Sequence, residues 1–196
     1  RKKMLSLEES LKILKETKAL LEGHFILSSG LHSSKYIQCA QLMSKPYKAQ
    51  KICDSLAEKI EKEIPIFDII LSPAMGGIII GYEIGKILKK ETIFSERVNG
   101  KFQLRRDFKI KEGVKVLIVE DVITTGKSSL ECSKLVTSSK ALIVGYACLI
   151  NRSEGKSDIK NKIISQIELN IPTFTKENLP KELSTIDPVK PGSRNL

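Results

Sequence analysis

Residues Val116–Ser129 read VLIVEDVITTGKSS, and this stretch decides the fold. Val116 to Val119 form an unbroken aliphatic run, the pattern of a strand covered on both faces of a parallel sheet. Glu120 and Asp121 follow directly, then Thr124, Thr125, Gly126, Ser128 and Ser129, and then a run with helical spacing. A buried strand that ends in a turn of small hydroxyl residues and continues as a helix builds an anion site. The N–H groups of the turn point inward, the helix dipole favours negative charge, and the hydroxyls of Thr124, Thr125 and Ser128 add donors. Carboxylates repel phosphate, so Glu120 and Asp121 must hold something neutral or cationic beside it. A ribose diol or a magnesium ion fits, and the ligand reads as a sugar phosphate. Gly126-Lys127-Ser128 imitates the end of a Walker A loop, but that motif needs a glycine five positions before Gly126, where this chain has Asp121.

Working outward, strands and helices alternate. Ser6-Leu7-Glu8-Glu9 is a capping box. It opens a helix with Leu7, Leu11, Leu14 and Leu21 at near-helical spacing, expected to end at Gly23. Phe25–Leu27 and Tyr36–Cys39 read as short strands around a loop from Ser28 to Lys35. Pro46 opens an amphipathic helix carrying Ile52, Leu56 and Ile60. A buried strand is expected over Phe67–Leu71, a tight loop over Ser72–Gly77, a helix over about Ile78–Leu88 and a strand over Thr92–Ser95. Glu96–Gly113 is polar and basic, with room for a short hairpin. A helix over about Ser128–Thr137, a strand over Ala141–Ile150, a further strand over Ile163–Leu169 and a Pro-rich loop over Pro188–Leu196 complete the reading. The alternation implies an α/β fold: a parallel sheet with right-handed crossovers, flanked by helices.

The chain has 196 residues, 41% of them hydrophobic, enough for one domain with a core. Cys39, Cys53, Cys132 and Cys148 show no CxxC spacing and no neighbouring His, which argues against a zinc site or a disulfide framework and for a reducing compartment. No apolar run approaches the roughly 18 residues of a membrane span, and the basic N-terminus is spaced for a helix rather than a signal peptide. The net charge of +10 is spread over lysines in every segment, and four Tyr and six Phe give little stacking capacity, so no nucleic-acid partner is expected. A basic field also draws a polyanionic metabolite.

Three other segments carry chemistry. In Ser72-Pro73-Ala74-Met75-Gly76-Gly77, adjacent glycines let N–H groups approach an anion, although Gly77, Gly81 and Gly85 could equally mark close helix packing. Glu96–Lys111 carries Arg97, Lys101, Arg105, Arg106 and Lys109 around an Asn99-Gly100 turn: an exposed hairpin, or a mobile lid that brings cations to a leaving anion. Arg152 stands just past the end of a strand, at the edge that faces the ligand crevice of an open parallel sheet, where a guanidinium can pair with a carboxylate or two carbonyls. His24 and His32 read as loop residues without a catalytic role.

The central stretch resembles the phosphoribosyl pyrophosphate (PRPP) signature of type I phosphoribosyltransferases. The resemblance implies that Glu120 and Asp121 bind the ribose hydroxyls and that Val122, Ile123, Thr124, Thr125, Gly126, Lys127 and Ser128 bind the 5-phosphate. It makes Ala74, Met75, Gly76 and Gly77 the pyrophosphate loop and Glu96–Lys111 a lid, one that in the family often closes over a neighbouring subunit. GHFILSSG (Gly23–Gly30), Ser33–Tyr36, Ser72–Gly77, ERVNGKFQLRRDF (Glu96–Phe108), Arg152 and KPGSR (Lys190–Arg194) are similar to the orotate phosphoribosyltransferase branch. That branch implies transfer of the phosphoribosyl group of PRPP to orotate, giving orotidine 5′-monophosphate and pyrophosphate. It implies catalytic roles for Glu120, Asp121, Arg97 and Lys101, and orotate contacts from Thr124 and Arg152. Magnesium is expected to be held mainly by PRPP, with no direct protein ligand. It further implies a homodimer in the cytoplasm and a single domain over 1–196, with a hood from about 1–40 plus the C-terminal segment on a core of about 45–150. The chain departs from enteric-type members: the lid has no histidine, and Ser28 stands where they carry a lysine near orotate. It also lacks the CPxC pair that the more similar bacterial branch often carries ahead of KPGSR. A purine phosphoribosyltransferase and a PRPP-sensing nucleic-acid-binding regulator are the alternatives.

Overall fold

The computed structural model describes residues 4–192; Arg194 of KPGSR lies outside them. In chain order the elements are α1 (Leu7–Glu16), β1 (Leu20–Ile26), β2 (His32–Ile37), α2 (Cys39–Met43), α3 (Pro46–Glu63), β3 (Ile69–Pro73), α4 (Gly77–Leu88), β4 (Glu91–Val98) and β5 (Lys101–Leu104). There follow β6 (Lys115–Ile123), α5 (Lys127–Ser138), β7 (Leu142–Asn151), β8 (Ile163–Glu168), β9 (Thr173–Phe174), a 3-10 turn (Lys176–Asn178) and α6 (Lys181–Ser184).

The apolar runs form the middle of a six-stranded sheet ordered β5-β4-β3-β6-β7-β8. Its pairs are parallel except β4–β5. Val116 to Val119 on β6 are all fully buried, because successive strand residues alternate faces and both faces are covered. Leu117 and Val119 join Ile52, Leu56 and Ile60 of α3 and Ile80 and Ile84 of α4 in one apolar cluster; Val116 and Ile118 join Cys132 and Val136 of α5 in the other. Burying each large aliphatic side chain contributes about 1.5–3 kcal/mol. α4 lies so close to the sheet that a Cβ at Gly81 or Gly85 would collide with the hydroxyls of Ser72 or Thr92, so those glycines do mark tight packing.

The hood is a second, antiparallel sheet ordered β1-β2-β9. Here the structure departs from the sequence reading. The capping box is present, but α1 stops at Thr17, whose hydroxyl donates back to the Ile13 carbonyl at 2.8 Å, and Lys18 takes φ 61°. Leu21 and Gly23 therefore lie in β1 rather than in the helix. The expected Ser28–Lys35 loop is shorter, because His32 to Lys35 belong to β2. Cys39 opens the short helix α2 instead of closing a strand. On the other edge of β1, Val189 forms a parallel bridge with Phe25, so the C-terminal segment closes the hood. The segment expected as a lid begins as a hairpin: Arg97 pairs with Phe102, Val98 with Lys101, and Asn99 and Gly100 take φ 50° and 78°, as a two-residue turn of the type favoured between twisted strands requires.

Candidate active site

β3, β6 and β7 run parallel, so their C-terminal ends share one edge, the edge at which open α/β sheets bind ligands. Pro73–Gly77, Glu120–Ser128 and Asn151–Arg152 leave the sheet there. Each carboxylate of the acidic pair is anchored by the loop's own backbone. Glu120 Oε1 accepts the Asp121 N–H at 3.1 Å, and Asp121 Oδ1 accepts the Val122 N–H at 2.8 Å. Asp121 Oδ2 faces the glycine loop: a Cβ on Gly76 would sit 2.7 Å from it, and one on Gly77 would sit 3.3 Å from Glu120 Oε1. Only a loop without side chains fits against the acidic pair, which is the physical reason for the adjacent glycines.

Together these segments line a cavity of about 380 Å³ whose wall includes Pro73, Ala74, Gly76, Arg97, Phe102 and residues 120–129. α5 has no side-chain cap, which leaves N–H groups of its first turn to a ligand. The Thr125 hydroxyl braces the Lys127 N–H at 3.3 Å. Glu120 is 7% exposed; burial first, and the neighbouring Asp121 charge second, push its carboxyl up to about 9. The shift favours the protonated form of Glu120 and so lightens the negative charge beside the Thr124–Ser128 turn. Burial also raises the thiols of Cys39, Cys53, Cys132 and Cys148. All four are free and buried, and none is a nucleophile here.

The lid cations divide. Arg97 lines the cavity of its own chain, with Nη1 2.7 Å from Glu131 Oε2 of α5 and 3.0 Å from the Gly100 carbonyl, and its guanidinium 4.2 Å above the Phe102 ring. Arg106 makes a two-pronged pair with Glu96 at 3.0 and 3.1 Å, and Arg105 stands 3.9 Å from the same carboxylate. Lys101 is exposed on β5 and does not line the cavity. Met75 is 85% exposed and also lies off the wall, while Ala74 and Gly76 line it.

A larger cavity of about 920 Å³ opens beneath the hood. Ile26 to Gly30, Tyr36, Ile37, Thr173 and Lys190 to Gly192 wall it from above, and Thr124 and Arg152 close it from the sheet. Thr124 lines both cavities, so a ligand spanning them passes this residue. Arg152 is half-buried, and burial lowers its pKa; its N–H is fixed to the Ile123 carbonyl at 2.9 Å. Glu131 and Thr173 escaped the sequence reading, because their roles depend on contacts with segments distant in the chain. His24 and His32 are not loop residues: both are buried in the hood strands, with His24 Nε2 2.6 Å from His32 Nδ1. A carbonyl only accepts, so His24 Nδ1–H donates to Ile186 O at 2.7 Å. In the neutral pair His24 Nε2 then accepts from His32. Neither lines either of these two cavities, and together they fasten the C-terminal segment to the hood.

Comparison with known proteins agrees with this geometry. The phosphoribosyl transferase domain family matches residues 43–180. The chain is 46% identical over 191 residues to the orotate phosphoribosyltransferase of Parvibaculum lavamentivorans, covering 96% of this chain and 98% of that protein. It is 45% identical over 188 residues to that of Erythrobacter litoralis, covering 95% and 97%. The crystal structure of orotate phosphoribosyltransferase from Aeropyrum pernix superposes with a TM-score of 0.70 at 26% identity, over 81% of this chain and 92% of that one. With such identity along nearly its whole length, and with the acidic pair, glycine loop and hood cavity joined at one sheet edge, this chain belongs to the orotate phosphoribosyltransferase family.

Proposed function

We propose that the chain transfers the phosphoribosyl group of PRPP to orotate, releasing pyrophosphate, as a step of pyrimidine nucleotide synthesis. The observation that carries this reading is the junction at Thr124. On one side lies a sugar-phosphate cavity with an acidic pair and a donor-rich turn; on the other, a base cavity with the Arg152 guanidinium, which has no ion-pair partner among the described residues. The ribose diol donates to the Asp121 and Glu120 carboxyls, which hold the ring as positive charge builds on C1. The 5-phosphate takes the turn from Val122 to Ser128, and the pyrophosphate lies against Ala74, Gly76 and Gly77. Orotate N1 attacks C1 as the pyrophosphate leaves. Arg97, already inside the cavity, faces the developing negative charge. Lys101 reaches it only if the hairpin moves, consistent with a lid that closes and excludes water.

Magnesium is a hard cation that suits carboxylate and phosphate oxygens. Among the described residues no cluster of three or more His, Cys, Asp or Glu is arranged to hold a metal. Asp121, which lines the cavity, could offer a carboxylate oxygen to an ion carried by PRPP; the ion would neutralise the pyrophosphate. A homodimer is supported by Met75, Ile79 and Tyr82, which place an apolar stripe 85%, 54% and 65% exposed beside the glycine loop. No helix among the described residues is long and apolar enough to cross a membrane; the buried free cysteines support a cytoplasmic enzyme. Loss of orotate absorbance in the presence of PRPP and magnesium tests the activity. Turnover of adenine or hypoxanthine with none of orotate would overturn it.

A further inference from the structure

We infer, given the orotate activity proposed for this site, that Lys190 is a specificity-determining residue: the second cation which, with Arg152, selects an anionic base. Among the described residues the hood cavity is lined by two positively charged side chains, Arg152 at the sheet and Lys190 at the rim, and by no acidic residue. Among the described residues neither side chain makes a hydrogen bond or ion pair. Arg152 is partly desolvated, so an anion that pairs with it offsets that cost, and Lys190, exposed at the rim of the same cavity, adds a second positive charge for that anion. The hood residue facing the same space from the β1–β2 loop, Ser28, is uncharged, so among the described residues Lys190 is the only positive side chain lining that side.

Lys190 is not on a loose tail. Its neighbour Val189 is clamped to β1 by two backbone bonds, Ile26 N–H to Val189 O and Val189 N–H to His24 O, both 2.9 Å. Upstream, the Ile186 carbonyl is fixed by the buried His24 at 2.7 Å. Downstream, Gly192 takes φ 98° and passes so close to Tyr36 that a Cβ would lie 3.2 Å from its hydroxyl. The backbone on both sides of Lys190 is thereby set, and its flexible stem carries a point charge to the cavity. A pyrimidine that attacks through a deprotonated ring nitrogen and also bears a carboxylate brings two negative charges. A guanidinium and an ammonium match that count; a neutral base needs neither.

Steady-state kinetics of Lys190→Met and Lys190→Arg test this. Lys190→Met should raise the KM for orotate ten-fold or more and leave the KM for PRPP within two-fold. It should also leave inhibition by uracil, which lacks the carboxylate, within two-fold. Lys190→Arg should recover most of the loss. An orotate KM within two-fold of wild type overturns the inference. So does a parallel loss of orotate, uracil and PRPP binding that arginine fails to rescue, because that marks Lys190 as a support of the tail. A wild-type protein that leaves orotate unconsumed overturns the functional reading first and this inference with it, whereas an active wild type matched by Lys190→Met overturns this inference alone.

Discussion

Replacing Gly76 with alanine should lower activity while leaving the protein folded. Gly76 has φ −60° and ψ −32°, ordinary right-handed helical backbone, at the N-cap of α4. Alanine adopts this backbone conformation freely and has fewer unfolded states to lose, so the backbone itself poses no obstacle and the consequence lies with the side chain it meets. The added Cβ, however, lands 2.7 Å from Asp121 Oδ2 and 3.0 Å from its Cγ. An ordinary contact begins near 3.4 Å, so the carboxylate must retreat by several tenths of an ångström. It cannot swing freely, because Oδ1 is held by the Val122 N–H. The carboxylate displaced is one that lines the cavity. Losing one charge-assisted hydrogen bond to the ribose diol costs about 1.5–3 kcal/mol, or roughly a ten- to hundred-fold loss in kcat/KM for PRPP. Thermal melting together with initial rates at varied PRPP measures both quantities. Unchanged PRPP kinetics in a well-folded Gly76→Ala would refute the placement of Asp121 on the substrate.

Other expectations follow from the same geometry. Asp121→Asn should cut turnover by orders of magnitude, read in the orotate absorbance assay. Because burial holds the Glu120 carboxyl up to about 9 against an ordinary 4.5, the folded state keeps a proton that the unfolded state releases. Its cost is absent at acid pH and grows as pH rises through that window. Glu120→Gln should therefore stabilise the protein at pH 8 and not at pH 4, as followed by denaturant melts. Glu131→Gln frees Arg97 from its 2.7 Å pair; kcat should fall several-fold while the orotate KM stays put, whereas an equal rise in orotate KM would contradict the assignment of Arg97 to the leaving group. Tyr82→Glu should shift the apparent mass in light scattering from dimer towards monomer.

The core was legible because its strands are continuous apolar runs. Ile70, Leu71 and Val116–Val119 are apolar whichever face they take, and the loops between them announce themselves by glycine and hydroxyl residues. The phosphate turn could be read for the same reason: its chemistry lies in consecutive residues. The hood was less readable. Its strands bury His24, His32 and Ser33, so no apolar alternation marks them. Leu21 continues the spacing of α1 although Thr17 and Lys18 have already ended it. The lid showed its charges but not their pairing: nothing local tells that Arg97 finds Glu131 while Arg105 and Arg106 find Glu96. The base cavity joins residues near both ends of the chain, and such proximity exists only after folding.

That last feature bears on the order of assembly. The sugar-phosphate cavity draws on one continuous stretch from Pro73 to Ser129. The roof over the base instead relies on contacts such as His24 to Ile186, separated by 162 positions. Closing so long a loop is entropically costly and slow, and the edge it secures is a two-bond zipper at Val189. The hood should therefore set last and breathe first, giving the nucleobase an entrance and an exit that do not require loosening the grip on the ribose.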